Sequence, residues 1–149
     1  MFSMNDLYTK IWIHAILITK GSRQLITAPL ETRLQNFIHD QLLELACPVR
    51  IINGMPDHLH LLFLQHPSRS MGEIVKKIKS TSSLWINHNK LCIQKFSWET
   101  GYAAFSVSES QVQRVFDYIS NQKEHHLRES LQQEYAHILD LHGVLPAPD

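Results

Sequence analysis

Cysteine is scarce: Cys47 and Cys92 are the only two. They are too few for a disulfide framework and lack the C-x-x-C pairs of a zinc ribbon. Long apolar runs are missing too. No stretch approaches the roughly 18 consecutive apolar residues that span a bilayer. The opening Met-Phe-Ser-Met-Asn-Asp has neither the basic segment nor the apolar core of a secretory signal. These absences lead us to expect a cytoplasmic protein without a membrane partner. Glycine and proline are also few, 5 and 6 residues, and nothing repeats, which excludes fibrous, low-complexity and solenoid classes. Net charge cancels, with 14 basic against 14 acidic side chains.

The cancellation is global only. Residues 1–100 hold 11 Lys and Arg against 7 Asp and Glu, and residues 101–149 hold 3 against 7. The densest basic patch is Arg69, Lys76, Lys77 and Lys79, interrupted by Glu73. A local patch of this kind supplies phosphate contacts even in a neutral chain, and equally serves as a solvated helix face. With 149 residues, 44% of them hydrophobic, the chain is long enough for one domain with a substantial core.

Apolar periodicity divides that domain into elements. Tyr8 to Thr19 alternates as a strand, with Ile11, Ile13, Ala15 and Leu17 on one face and Trp12, His14, Ile16 and Ile18 on the other. A helix follows Pro29, with Leu30, Leu34, Phe37, Ile38, Leu42 and Leu45 at helical spacing. Val49 to Ile52 is a short strand, and Asn53-Gly54-Met55-Pro56 turns back into Pro56-Asp57-His58-Leu59-His60-Leu61-Leu62-Phe63-Leu64. Ser70 and Glu73 form a capping box that opens a second helix. A fourth strand is expected between Lys95 and Val107. A third helix should open at the Ser108/Gln111 box, and a last one at Ser130/Gln133, presenting Tyr135, Ile138 and Leu139. The order β-α-β-β-α-β-α-α implies an α+β, ferredoxin-like (RRM-like) four-stranded antiparallel sheet, with helices on one face and the third strand central.

Within that frame, His58 and His60 project from the same face of a central strand. Adjacent imidazoles in a core need something to satisfy their nitrogens, and this spacing lets both bind one ion. The third helix carries Tyr118, Gln122, His125 and His126 at i, i+4, i+7 and i+8, about a quarter turn from its Val112/Val115/Phe116/Ile119 stripe. Two imidazoles and the Gln122 amide oxygen would leave a divalent ion its charge and open positions, suited to polarising a phosphate oxygen. Thiolate is absent from the set, which favours Mg²⁺ or Mn²⁺ over structural zinc. Tyr118 then stands as nucleophile, since a phenol with a pKa of about 10 needs such help. Asp57 has two candidate roles, fixing the His58 tautomer or shaping the turn. His125 and His126 are candidate site support. His14 either faces the site from the first strand or is a satisfied core histidine.

Met55-Pro56-Asp57-His58-Leu59-His60-Leu61 and Tyr118-Ile119-Ser120-Asn121-Gln122-Lys123-Glu124-His125-His126 resemble the paired signatures of single-tyrosine HUH transposases of bacterial insertion sequences. Lys79–Ser83 and the segment from Phe96 to Ser106 are similar to that family's connecting segments. The resemblance implies a single transposase domain over residues 1–143, leaving 144–149 as a disordered tail. It implies metal-dependent cleavage and rejoining of single-stranded DNA at hairpin-marked element ends, through a 5′-phosphotyrosine with a free 3′-hydroxyl. It also implies a homodimer in which the tyrosine helix of one subunit serves the metal pair of the other. The basic patch, Arg69, Lys76, Lys77 and Lys79, fits hairpin phosphates, and Trp98, Tyr102 and Phe105 divide between core packing and base stacking. Two other readings compete: a non-catalytic binder of single-stranded nucleic acid, and a host-retained enzyme that processes repeated palindromes.

Overall fold

The structure, a computed structural model, describes residues 8–125 and 130–144, with His125 placed by its backbone alone. Its core is a four-stranded antiparallel sheet in the order β2-β3-β1-β4, built from β1 (Trp12–Ile18), β2 (Val49–Met55), β3 (His58–Leu64) and β4 (Ala103–Val107). The expected α+β, ferredoxin-like sheet is present. Strands β3 and β1 are central, and their register sets Ile16 opposite His60 and Ile18 opposite His58. The expected tail residues 145–149 and the site candidate His126 lie outside the described residues.

One face of the sheet packs Ile13, Ala15, Leu17, Leu59, Leu61 and Phe63 under α1 (Ala28–Glu44) and α2 (Met71–His88). Helix α1 buries Leu30, Leu34, Ile38 and Leu42, each fully buried side chain contributing roughly 1.5–3 kcal/mol. Ser70 caps α2 by accepting from the Glu73 backbone N–H at 3.1 Å.

The opposite face is covered as well, which corrects the one-sided expectation. Leu62 and Val107 pack there against Val112, Val115 and Ile119 of α3 (Val112–Ser120). The physical reason lies in β1 and β3: both carry apolar residues on alternate positions of either face, so neither face can be left to water. Two further corrections concern α3. Ser108 does not cap it through its side chain; a 3₁₀ turn at Glu109–Gln111 intervenes. The helix also ends at Ser120, and Gln122–His125 forms a separate turn, α4. Asn53 of β2 donates its side-chain amide to the carbonyls of Ile119 and Ser120 at 3.0 and 3.4 Å, satisfying the carbonyls where the helix stops.

The last helix, α5 (Leu131–Leu141), opens on the complete Ser130/Gln133 capping box. Its inward residues are Glu134 and Ile138, whereas Tyr135 is exposed. Of the expected stripe, Ile138 is buried and Leu139 half-buried, while Tyr135 faces out and Glu134 takes the inward position beside it. Among the described residues, no helix is long and apolar enough to cross a membrane.

Candidate metal and nucleophile site

Strand parity delivers the two histidines. His58 and His60 leave the same face of β3, and both are fully buried. Gly54, on the neighbouring strand, permits their placement: a Cβ there would lie 2.2 Å from the His58 carbonyl oxygen. Any side chain at that position would push His58 out of line.

Each imidazole is held from behind. His58 Nδ1 lies 2.7 Å from Asp57 Oδ1. His60 Nδ1 lies 2.9 Å from His14 Nε2, a diagonal contact between β3 and β1. His14 Nδ1 in turn meets His142 Nε2 at 2.8 Å, and the His142 ring stacks on Phe105 with centroids 4.4 Å apart. The forward nitrogens converge. His58 Nε2 is 3.1 Å from Gln122 Oε1 and 3.3 Å from Glu134 Oε2, and His60 Nε2 is 3.1 Å from Glu134 Oε1. Gln122 Nε2 donates to Glu134 Oε1 at 2.8 Å. The Tyr118 hydroxyl donates to the same oxygen at 2.5 Å, and its ring stands edge-on to His60, 5.8 Å between centroids.

Charge follows from this geometry. Burial would push the His58 imidazole down, but hydrogen bonds to Asp57 and Glu134 and their negative charges raise it to about 9. Burial would raise the Glu134 carboxyl. Hydrogen bonds from His58 and His60, the charge of His60 and the Tyr118 hydroxyl hold it well below the usual carboxylate range. His14 is pushed well below its ordinary value by burial, then by His60 and His142. His142 falls to about 4 through burial, then Arg114 and His60. At neutral pH the Glu134 carboxylate faces a His58 imidazolium, and the rear imidazoles of His14 and His142 are neutral. Among the described residues, no buried side-chain nitrogen or oxygen lacks a hydrogen-bond partner.

The donor set fits a divalent cation. His58, His60 and Glu134 offer ligand atoms all within 4.8 Å of one another, and the Gln122 oxygen lies 3.1 Å from His58 Nε2. Two imidazoles whose rear nitrogens are fixed, one carboxylate and one amide oxygen form a mixed N/O set without thiolate.

Of the residues anticipated from sequence, Asp57, His58, His60, Tyr118 and Gln122 meet here. His126 and the His125 side chain lie outside the described residues. The basic patch stands apart from this cluster and is itself divided. Lys76 and Lys77 are exposed. Arg69 pairs with Glu73 at 3.0 Å and donates to the Leu45 carbonyl. Lys79 donates to the carbonyls of Glu99 and Gly101. Trp98 is core, bonded to Ser82 at 2.9 Å. Glu134 and His142 were not anticipated. A signal for Glu134 existed: it shares a helical face with Ile138, four residues on, where a carboxylate requires a partner.

A sheet that buries an imidazole pair beside a phenol is the arrangement that the resemblance to single-tyrosine transposases led us to expect. Residues 7–122 match the family model described as "Transposase IS200 like", and the chain belongs to that family of single-tyrosine transposases. Among curated proteins it resembles ISDra2 transposase TnpA of Deinococcus radiodurans, 25% identical over 114 residues, covering 73% of this chain and 81% of that protein. Two solved structures share the fold. One is a candidate transposase from D. radiodurans R1, with a TM-score of 0.64 and 24% identity, covering 82% of this chain and 98% of that one. The other is a REP-associated tyrosine transposase bound to a REP hairpin, with a TM-score of 0.60 and 15% identity, covering 100% of this chain and 93% of that one. The family match stops at Gln122, so Glu134 and the whole of α5 lie beyond it.

Proposed function

We propose that the chain cleaves and rejoins single-stranded DNA at hairpin-marked ends, with Tyr118 as nucleophile and Mg²⁺ or Mn²⁺ held by His58, His60, Gln122 and Glu134. The observation that carries this reading is the contact of the Tyr118 hydroxyl with Glu134, which also faces both imidazoles. A bound divalent ion would draw electron density from a phosphate oxygen and make the phosphorus electrophilic.

The chain's own groups do the rest. Asp57 and His14 orient the two histidines from behind. Coordination through His60 Nε2 requires its Nδ1–H to donate to His14 Nε2, and His14 Nδ1–H then donates to His142. Glu134 accepts the phenol's hydrogen bond and orients its oxygen, and the phenol's proton ends on the departing 3′ oxygen. As Oη bonds to phosphorus, the P–O3′ bond breaks and the departing oxygen gains a proton, leaving a 5′-phosphotyrosine and a 3′-hydroxyl. A later 3′-hydroxyl reverses the step and reseals the strand. His58, His60, Gln122 and Glu134 have no exposed surface, so a phosphate reaches them only when α5 shifts. Lys77 serves the hairpin phosphates. The DNA hairpin of the REP-associated neighbour is consistent with such a substrate.

The resemblance implies a homodimer acting in trans. The contact of Tyr118 with Glu134 within a single chain favours a site completed by its own tyrosine. Mixing Tyr118→Phe with His58→Ala protein separates the two arrangements, because restored cleavage requires a shared site and continued inactivity requires a self-contained one. The reading as a whole is tested by incubating the protein with labelled hairpin DNA and Mn²⁺. A denaturant-resistant protein–DNA adduct, absent from Tyr118→Phe, is expected. Binding without an adduct in the wild type would leave a nucleic-acid-binding module instead.

A further inference from the structure

A groove outside the cluster has no assigned role. Between α2 and residues 97–102 lies a cleft of about 510 Å³, lined by Lys76, Lys79, Ser80 and Ser83 on the helix and Glu99–Tyr102 on the loop. A second cavity of about 250 Å³ shares Glu99, Thr100, Gly101 and Tyr102 with it and is closed by Ile18, Ala103 and Tyr135. The two cavities adjoin along that loop and together line a channel-like path from Lys76 and Lys79 past Glu99–Tyr102 to Ile18 and Tyr135. Ile18 is the register partner of His58, and Tyr135 adjoins Glu134. The channel therefore links the basic face to the border of the candidate metal site.

Its walls are fixed. Lys79 donates to the carbonyls of Glu99 and Gly101, fastening the loop to α2. The Glu99 amide bonds the Ile18 carbonyl at 2.7 Å, fastening it to β1. Gly101 turns the chain at φ +85°, a conformation that L side chains rarely adopt. The Glu99 carboxylate, the acidic group on this wall, accepts from the backbone N–H groups of Gly21 and Thr100, both at 3.0 Å. Two tyrosines stay open in this rigid setting: Tyr102 is 45% exposed and Tyr135 38%. Exposed aromatic faces beside lysine and serine side chains match single-stranded nucleic acid, whose bases stack and whose phosphates need cations.

We propose that this channel seats the unpaired strand flanking the scissile phosphate, with a base on Tyr102 and a phosphate at Lys76. The inference rests on the strand-transfer reading for its direction toward the site, but not for its binding chemistry.

Fluorescence anisotropy tests it on the full chain, with an oligothymidylate about 12 nucleotides long and a blunt duplex of equal length. Tyr102→Ala should weaken oligothymidylate binding roughly 5- to 150-fold, the range for loss of one base–aromatic stack, and leave duplex binding unchanged. Tyr102→Phe should bind like the wild type. Lys76→Ala should lower the salt slope on the single strand by about 0.7, one phosphate contact. Tyr102→Ala protein with undiminished oligothymidylate affinity, or weakened equally on both probes, overturns the proposal. So does a Tyr102→Phe loss equal to that of alanine. If Tyr102 governs binding but wild-type protein forms no adduct with hairpin DNA, the strand-transfer reading fails and the channel stands. If the adduct forms while binding ignores Tyr102, the channel fails alone.

Discussion

Replacing Glu134 with glutamine keeps the shape of the side chain and removes its charge. Four donors converge on that carboxylate: Tyr118 at 2.5 Å, Gln122 at 2.8 Å, His60 at 3.1 Å and His58 at 3.3 Å. Both partners of the His58–Glu134 ion pair are fully buried, so the substitution leaves the imidazolium with Asp57 as its carboxylate partner and an uncharged amide on the other side. Breaking a buried pair from one side costs about 3–5 kcal/mol. In a chain of this length that lowers the melting temperature by roughly 6–20 °C. Urea denaturation and thermal melts of metal-free protein measure it directly. In the wild type, Mn²⁺ at about 100 times its dissociation constant should add about 2.7 kcal/mol, and Glu134→Gln should recover less. A metal-free variant within about 1 kcal/mol of the wild type would mean that α5 does not close on the histidines, and the geometry of the cluster would be refuted.

Other consequences are as definite. His58, raised to about 9, contributes stability that is complete below the unfolded value near 6.5 and fades as pH rises through about 9. His14 and His142, both lowered, contribute stability that is present above 6.5 and is lost as pH falls, for His142 through about 4. Metal-free urea midpoints should therefore peak near neutrality, and a midpoint that still climbs at pH 9 would contradict the His58 assignment. Because an ion must displace the His58 proton, apparent Mn²⁺ affinity should rise up to about tenfold per pH unit between neutrality and about 9, with a proton released in calorimetry. His14→Ala should lower metal affinity about 10- to 100-fold by freeing His60 to rotate; an unaltered affinity would reduce His14 to core packing. Gly54→Ala should destabilise the β2–β3 pair and weaken metal binding together, whereas loss of stability alone would detach Gly54 from the site.

How far the sequence disclosed this arrangement follows from which periods carry information. A two-residue period put His58 and His60 on one face, and the chain order put β3 at the centre; the first strand read as buried on both faces, and the sheet places it beside β3. A 3.6-residue period set Tyr118 beside Gln122, and that adjacency survives although the helix stops at Ser120. The stop itself is a tertiary effect, because the Asn53 amide reaches in from β2, and no local pattern announces it. Glu134 escaped for a related reason: a carboxylate on a short helix normally faces water, and Tyr135 and Leu139 offered a competing apolar phase. His142 depends on contacts with His14 and Phe105, both more than thirty residues away in sequence and invisible to local spacing.

Manganese placed by anomalous diffraction from soaked crystals locates the ion between the imidazoles or shows the position empty. One ion is expected within about 2.0–2.2 Å of His58 Nε2, His60 Nε2 and an oxygen of Glu134 or Gln122, with the Tyr118 hydroxyl next to it. Crystals saturated with Mn²⁺ whose imidazoles still contact only Glu134 and Gln122, with no anomalous peak between them, would contradict the metal assignment.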